Sequence, residues 1–583
     1  MHKYAKLLDE MIGLLNIDLY GLRGVLAGGR LLVFALREGA TNVYSYDGKE
    51  LVRLNREPVS LVAEAPYDAD RVVIARDVAR GKEQHALFTI DPDRPGEEER
   101  VPGVEPARIM GVAYDGERIV YSASSAAEVA LFLSEGSGTR KVATLQGMAM
   151  VTDLHYPYAT GIGSLGPEAL MSGRFQLFTV DLESGNVSVY SDPEGSVAAA
   201  RFTPEGSIVF SVERPEDAVL KVIEPGGDRP APLQLPYTDL EGFQPRSFNY
   251  IGVTRDGSLV TVARKNGRSR IFLDGKEIPA PTGLHGAVYQ WRGRLVASHT
   301  SLSTPPRIIS LDTGEPILQG DVPGYVAEAI GGSSFTWVES FDGERVPVLV
   351  LESRRAGRPG PTVVLVHGGP FSEDADVWDI FAASLALAGF NVVMPNYRGS
   401  TGYGERWRLK IVGDPCGGEL EDITAAAKWA LNSGIASHLY VMGYSYGGYM
   451  TLCSLTRKPG LYRAGVAGAS VADWEEMYEL SDAVFRMFID MIFAGRRELW
   501  RERSPITYVE NLREPLALIQ PQNDTRTPLK PVLHFIEKAT ELGKRVEAHV
   551  APDMGHAVNT VDDVLKILWP AVLFLARAEE GRV

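Results

Sequence analysis

A tight turn made of an acidic residue and a glycine recurs along the first 320 or so residues of this chain. It appears at Tyr46-Asp47-Gly48, Tyr114-Asp115-Gly116, Pro204-Glu205-Gly206, Arg255-Asp256-Gly257 and Leu273-Asp274-Gly275. Glu183-Ser184-Gly185 and Asp312-Thr313-Gly314 serve the same purpose with longer loops. Glycine takes a positive φ at little cost, which is what a β-hairpin needs. Short β-rich runs flank these turns, and long helical patterns are absent. The hairpin 115–122 resembles 205–211 and 256–262, and the first two lie about two periods of 45 residues apart. Four strands per period is the pattern of a β-propeller, and the length available predicts about seven blades. Six or eight blades stay open, and a pair of large β-sandwiches explains the recurrence less well.

Beyond this region the texture changes. Pro323-Gly324 and Gly331-Gly332-Ser333-Ser334 read as linker. Apolar strands then alternate with helices: Thr362 to Val366, Asn391 to Pro395, Leu439 to Met442, Gly465 to Gly468, Leu516 to Ile519 and Arg545 to Ala551. Strand-helix alternation predicts a doubly wound, mainly parallel sheet covered on both faces, an α/β-hydrolase domain. The expected division is a helix in residues 1–18, an all-β propeller in 19–324 and the hydrolase domain in 325–583. The first segment carries Tyr4, Leu7, Leu8, Met11, Leu14 and Leu15 at helical spacing, so one face packs on something larger.

Within the second half, Gly443-Tyr444-Ser445-Tyr446-Gly447 joins a predicted strand to a predicted helix. Glycines two residues either side of a serine are the pattern of a nucleophile elbow. A serine nucleophile needs a base and an orienting acid, in the chain order serine, acid, histidine for this fold. Three histidines follow Ser445. His534 lies mid-helix and His549 within a strand, whereas His556 follows the last strand in a loop beside the elbow. Asp524, in the loop after Leu516 to Ile519, is the expected acid; an N-cap is its alternative role. The expected oxyanion donors are the amides of Tyr446 and of Gly369 in His367-Gly368-Gly369-Pro370. His367 reads as scaffold.

The formal net charge is −16, which argues against nucleic-acid or anionic-membrane partners. The chain shows no signal-peptide pattern and no spanning apolar stretch, so a cytoplasmic location is expected. Its two cysteines, Cys416 and Cys453, exclude a disulfide scaffold and a cysteine-rich metal site. They are either free thiols or one bridge, the latter favoured in a hyperthermophile. No metal or cofactor is expected.

Together, Phe341-Asp342-Gly343, His367-Gly368-Gly369-Pro370, the run 396–404, the elbow 443–449, the run 523–528 and Gly555-His556 resemble the prolyl oligopeptidase family of serine peptidases. The run 413–419 and the Phe-rich insertion after residue 471 bring it nearest the archaeal acylaminoacyl-peptidases. The resemblance implies release of an N-acylated amino acid from short blocked peptides, esterase activity, and a propeller that restricts substrate size. It implies a pocket for an apolar P1 side chain around Phe381, Val471, Trp474, Met477, Phe485, Phe488 and Ile489, although ordinary core is the competing role for each. Arg526 resembles a residue that binds a substrate carbonyl; an interdomain ion pair is its other role. The first helix packs on the hydrolase domain in such proteins, and a Cys416–Cys453 bridge fits them. A homodimer stays open. The alternatives are an oligopeptidase or dipeptidyl peptidase of the same family, a carboxylesterase, or a propeller binding protein without activity. The dipeptidyl reading is weakened because Glu97-Glu98-Glu99 reads as a loop and Glu475-Glu476 falls in the hydrolase half.

Overall fold

Acidic-Gly turns close two different hairpins. Those at 115–116, 205–206 and 256–257 join a first strand to a second, and those at 47–48, 183–185, 274–275 and 312–314 join a third to a fourth. The aspartate does as much as the glycine. Asp115 Oδ1 accepts the amides of Glu117 at 2.9 Å and Arg118 at 2.6 Å, and Asp47 Oδ1 those of Lys49 and Glu50, both at 2.8 Å. An Asx turn of this kind presets the reversal. The result, in a computed structural model that describes residues 2–236 and 239–583, is seven four-stranded antiparallel sheets among the described residues.

Each sheet is built from four consecutive strands. The first strands are Leu19–Leu26, Leu61–Val62, Arg108–Tyr114, Gly147–His155, Ser196–Phe202, Ser247–Val253 and Leu284–Trp291. They neighbour one another around the ring and therefore line its axis. Six of the seven carry a register shift against the second strand of their blade, a bulge that re-aims the side chains beyond it. The ring closes where the first blade meets the seventh: the Leu22 amide donates to Ser298 Oγ at 2.9 Å, and the Tyr289 hydroxyl to the Arg23 carbonyl at 3.3 Å. No strand is exchanged across that seam.

The second half forms an eight-stranded sheet. In spatial order its strands are Ile330–Glu339, Arg345–Ser353, Asn391–Pro395, Gly360–Val366, Ala436–Tyr444, Gly465–Gly468, Leu516–Pro521 and Val546–Ala551. The first two pair antiparallel with their neighbours and the rest run parallel. Its central strands are buried on both faces, which is why they read as continuous apolar runs. Helices Gly418–Asn432, Tyr446–Arg457 and Leu529–Glu541 share one core. Helices Ile380–Leu387 and Val561–Glu579 share the other. Helix His2–Leu15 joins that second core through Leu7, Met11, Leu14 and Leu15, and its Glu10 meets Arg355 at 2.6 Å. Among the described residues no helix is long and apolar enough to cross a membrane.

Two local expectations are corrected. Gly331-Gly332-Ser333-Ser334 is strand rather than linker: it belongs to Ile330–Glu339 and pairs with Arg345–Ser353. The glycines show only as irregular register between Ile330 and Ser333. Glu98 and Glu99 lie not in a loop but in the outer strand Glu98–Arg100 of the second blade, where alternate positions face water and tolerate charge.

Candidate active site

Strand Ala436–Tyr444 enters the elbow and helix Tyr446–Arg457 leaves it, with Ser445 between them at φ 60° and ψ −125°. A non-glycine residue held there is strained, and the surroundings must hold it. They do so by close approach. A Cβ at Gly447 would lie 2.0 Å from the Val366 carbonyl oxygen, and one at Gly443 would lie 2.3 Å from Gly447. The Ser445 amide is fixed by the Gly468 carbonyl at 2.9 Å. The adjoining helix is tied by a disulfide between Cys453 and Cys416 to the loop that precedes helix Gly418–Asn432.

His556 and Asp524 come from the loops after the last two strands. His556 Nδ1 is 2.8 Å from Asp524 Oδ2, and both residues are buried. Asp524 also accepts the amides of Arg526 at 2.9 Å and Thr527 at 2.8 Å, and the Thr527 hydroxyl at 2.8 Å. These donors lock the rotamer of its side chain. The Tyr444 hydroxyl donates to the His556 carbonyl at 3.0 Å, tying the histidine loop to the elbow strand. With Nδ1 engaged by Asp524, Nε2 is the nitrogen left for a substrate proton. The Ser445 hydroxyl makes no hydrogen bond to a described residue.

The loop after strand Gly360–Val366 lies against the serine: a Cβ at Gly368 would be 3.2 Å from Ser445 Cβ and 3.8 Å from its Oγ. The amides of Gly369 and Tyr446 donate to no other described group. His367 holds this loop, with Nδ1 on the Gly368 carbonyl at 2.7 Å, Nε2 on Ser400 Oγ at 2.8 Å and its ring stacked on Tyr397. Burial pulls its pKa down to about 4, so it stays neutral.

Side chains from the propeller reach the acid loop. Glu83 sits on a turn of the second blade and receives both Arg526, with Nε at 2.9 Å, and Arg108. Arg108 in turn meets Asp482 at 2.6 Å and Thr525 Oγ1 at 3.0 Å. Burial would raise the Glu83 carboxyl, but the hydrogen bond and charge of Arg526 and the charge of Arg108 outweigh it and hold the pKa near 2, at about 2 against 4.5. The backbones of Gly81 and Gly555 touch beside this cluster. Arg526 was open to this role in the sequence. Glu83, Arg108 and Asp482 were not, since nothing local marks residues that meet across more than 370 positions of chain.

The apolar set divides. Val471, Trp474, Met477 and Ile489 are buried in the core beneath the insertion, where Trp474 packs edge-on against Tyr449 with centroids 5.0 Å apart. Phe485 and Phe488 pack on that core and stay partly exposed, with Arg108 over the Phe485 ring. Phe381 lies on the opposite core, beside Tyr444. His534 pairs with Glu476 and His549 with Glu547, both away from the elbow.

Residues 378–578 match the prolyl oligopeptidase family, and residues 32–309 match the acylamino-acid-releasing enzyme-like N-terminal domain. Residues 378–578 belong to the prolyl oligopeptidase family. Among curated members, it is 30% identical over 226 residues to the human acylamino-acid-releasing enzyme, covering 37% of this chain and 31% of that one. It is also 30% identical over 213 residues to dipeptidyl aminopeptidase BIII of Pseudoxanthomonas mexicana, covering 35% and 31%. The aligned region thus spans about a third of the length of these relatives. Among solved structures, a puromycin-hydrolyzing peptidase of Mycobacterium tuberculosis superposes with a TM-score of 0.80 at 17% identity, covering 98% of this chain and 95% of that one. The acylaminoacyl peptidase of Pyrococcus horikoshii gives 0.71 at 16%, covering 98% and 97%. These two likenesses concern the fold, a seven-bladed propeller on an α/β-hydrolase domain.

Proposed function

We propose that this chain is a serine peptidase that releases an N-acylated amino acid from short blocked peptides and also cleaves esters. The observation that carries it is the buried His556–Asp524 pair at 2.8 Å, tied through the Tyr444 hydroxyl to the strand that presents Ser445 in the strained elbow conformation. In this reading His556 Nε2 takes the proton from Ser445 Oγ as the oxygen attacks the substrate carbonyl. Asp524 holds the imidazole tautomer and steadies the imidazolium. The amides of Tyr446 and Gly369 receive the developing oxyanion. His556 then protonates the leaving amine, and water resolves the acyl-enzyme by the reverse path.

The charge at the rim favours a blocked amino end. Glu83, the propeller carboxylate that reaches the acid loop, is neutralised by Arg526 and Arg108, and Asp482 balances the second guanidinium. No net negative charge is left in that cluster for a substrate ammonium. The partly exposed Phe485 and Phe488 suit an apolar P1 side chain. The test compares the native protein with Ser445→Ala on N-acetyl-phenylalanine p-nitroanilide, its ester and the free-amino analogue. The native protein should favour the acetylated substrates, and the variant should lose all turnover while keeping its fold. Turnover surviving in Ser445→Ala, or preference for the free amine, would count against the proposal.

A further inference from the structure

The elbow helix begins at Tyr446, whose amide is one of the two oxyanion donors in the reading above. Where that amide points depends on where the rest of Tyr446 sits, because its Cα follows directly on the strained turn at Ser445. The side chain is buried among rings. Its own ring is edge-on to Tyr449, with centroids 5.1 Å apart, and lies 6.4 Å from both Tyr397 and Trp474. Tyr397 also stacks on His367, which holds the loop of the second donor, so both donors lean on one ring. The one polar atom of the Tyr446 side chain, its hydroxyl, donates to Glu419 Oε1 at 2.9 Å.

Glu419 is the second residue of helix Gly418–Asn432 and is fully buried. No cation pairs with it among the described residues, and burial pushes its carboxyl up to about 8. Its other contacts are the amides of Cys416 and Gly417, just before its own helix. A short polar side chain at a helix start caps such amides while still in water. A carboxyl sunk beneath the elbow does the same task at greater cost, because a buried polar group loses its hydration. What the burial adds is the third contact, to a residue on another helix 27 positions further along the chain.

We infer that Glu419 is a positioning residue for the oxyanion hole: by holding the Tyr446 hydroxyl it fixes the start of the elbow helix and aims the Tyr446 amide at the substrate carbonyl. The inference rests on the peptidase reading above. A tyrosine ring is rigid, so a shift at the hydroxyl is carried to the backbone. A well-aimed donor stabilises the oxyanion without reorganising, and loss of one outright lowers turnover by about 10²–10³. A donor kept but misaimed should lose about tenfold. The amide acts on the developing charge rather than on the bound substrate, so the loss falls on kcat and KM changes little.

The experiment measures kcat and KM for N-acetyl-phenylalanine ethyl ester and for its thionoester, in which sulfur replaces the scissile carbonyl oxygen and accepts hydrogen bonds poorly. Glu419→Leu fills the space without an acceptor, and Tyr446→Phe removes the hydroxyl and keeps the ring. Each should lower kcat on the oxygen ester about tenfold at little change in KM, and lower the oxygen-to-sulfur ratio of kcat/KM by the same factor. Glu419→Gln offers the hydroxyl an acceptor again and should restore most of what Glu419→Leu loses. A purely structural role moves the melting temperature and leaves the ratio alone. An unchanged ratio in Tyr446→Phe, or no recovery with Glu419→Gln, therefore overturns the inference and leaves the peptidase reading standing. If Glu419→Leu does not fold, the ratio in Tyr446→Phe decides. Absence of oxygen-ester turnover by the native protein overturns both.

Discussion

Asp524 carries more of the site's order than its single contact with His556 suggests. Four donors converge on it, two of them backbone amides of its own loop. Replacing it with asparagine preserves the shape but turns an N–H toward groups that themselves donate, and leaves His556 free to take the wrong tautomer. Asp524→Asn should lower kcat on the acetyl-phenylalanine ester by ~10⁴, with KM little changed. A loss below tenfold would mean that the carboxylate only packs. This pairing is legible in the sequence because the order serine, acid, histidine restricts each role to one loop. The loop that lies against Ser445 is legible too, as a glycine pair after a strand. Thr527 is harder to see: it sits three residues beyond the acid and matters only once the loop has turned back. How the apolar residues divide between core and surface is not legible, since a buried tryptophan such as Trp474 and a half-exposed Phe488 look alike in a string of letters.

Among the elements, the elbow helix Tyr446–Arg457 is anchored at its start and along its length. Its start is fixed by glycines too close to neighbouring carbonyls to bear a side chain, and its middle by the disulfide to Cys416, which closes a loop of 37 positions. A closure of that length stabilises by about 3–4 kcal/mol in the chain-entropy account. Reduction of the native protein and the Cys416→Ser variant should both lower the unfolding free energy of the hydrolase transition by that amount, read as a lower denaturant midpoint. Equal midpoints with and without reductant would show that the bridge adds nothing. The propeller teaches a different lesson at this scale. Its turns are readable one by one, but two hairpin types share one sequence signature, first-to-second and third-to-fourth. Mixing them blurs the repeat, so the period emerges while the blade boundaries do not. The bulges of the innermost strands leave no mark at all, because they follow from register against a partner.

At the scale of the molecule, the two halves are locked by charge where Glu83 meets Arg526 and Arg108. The carboxyl titrates at about 2 instead of 4.5. A carboxyl depressed by folding stabilises fully above its unfolded value and loses that contribution as pH falls through its folded one. The contact should therefore hold at neutral pH and fade between about 4.5 and about 2. The shift corresponds to stabilisation on the order of 3 kcal/mol. Glu83→Gln should remove it at pH 7 and flatten the acid limb of the unfolding curve; an unaltered limb would place the lock elsewhere. Arg526 left an interdomain ion pair open in the sequence, but Glu83 and Arg108 gave no sign of being its partners, for the contact exists only once both domains are built.

Helix His2–Leu15 precedes the propeller in the chain, yet its dock is made with residues such as Leu568 and Leu575 that follow it. A ribosome therefore releases the helix long before it makes the surface that receives it. Through the synthesis of seven blades an apolar stripe waits unpaired, and the hydrolase domain is finished only when helix His2–Leu15 meets helix Val561–Glu579.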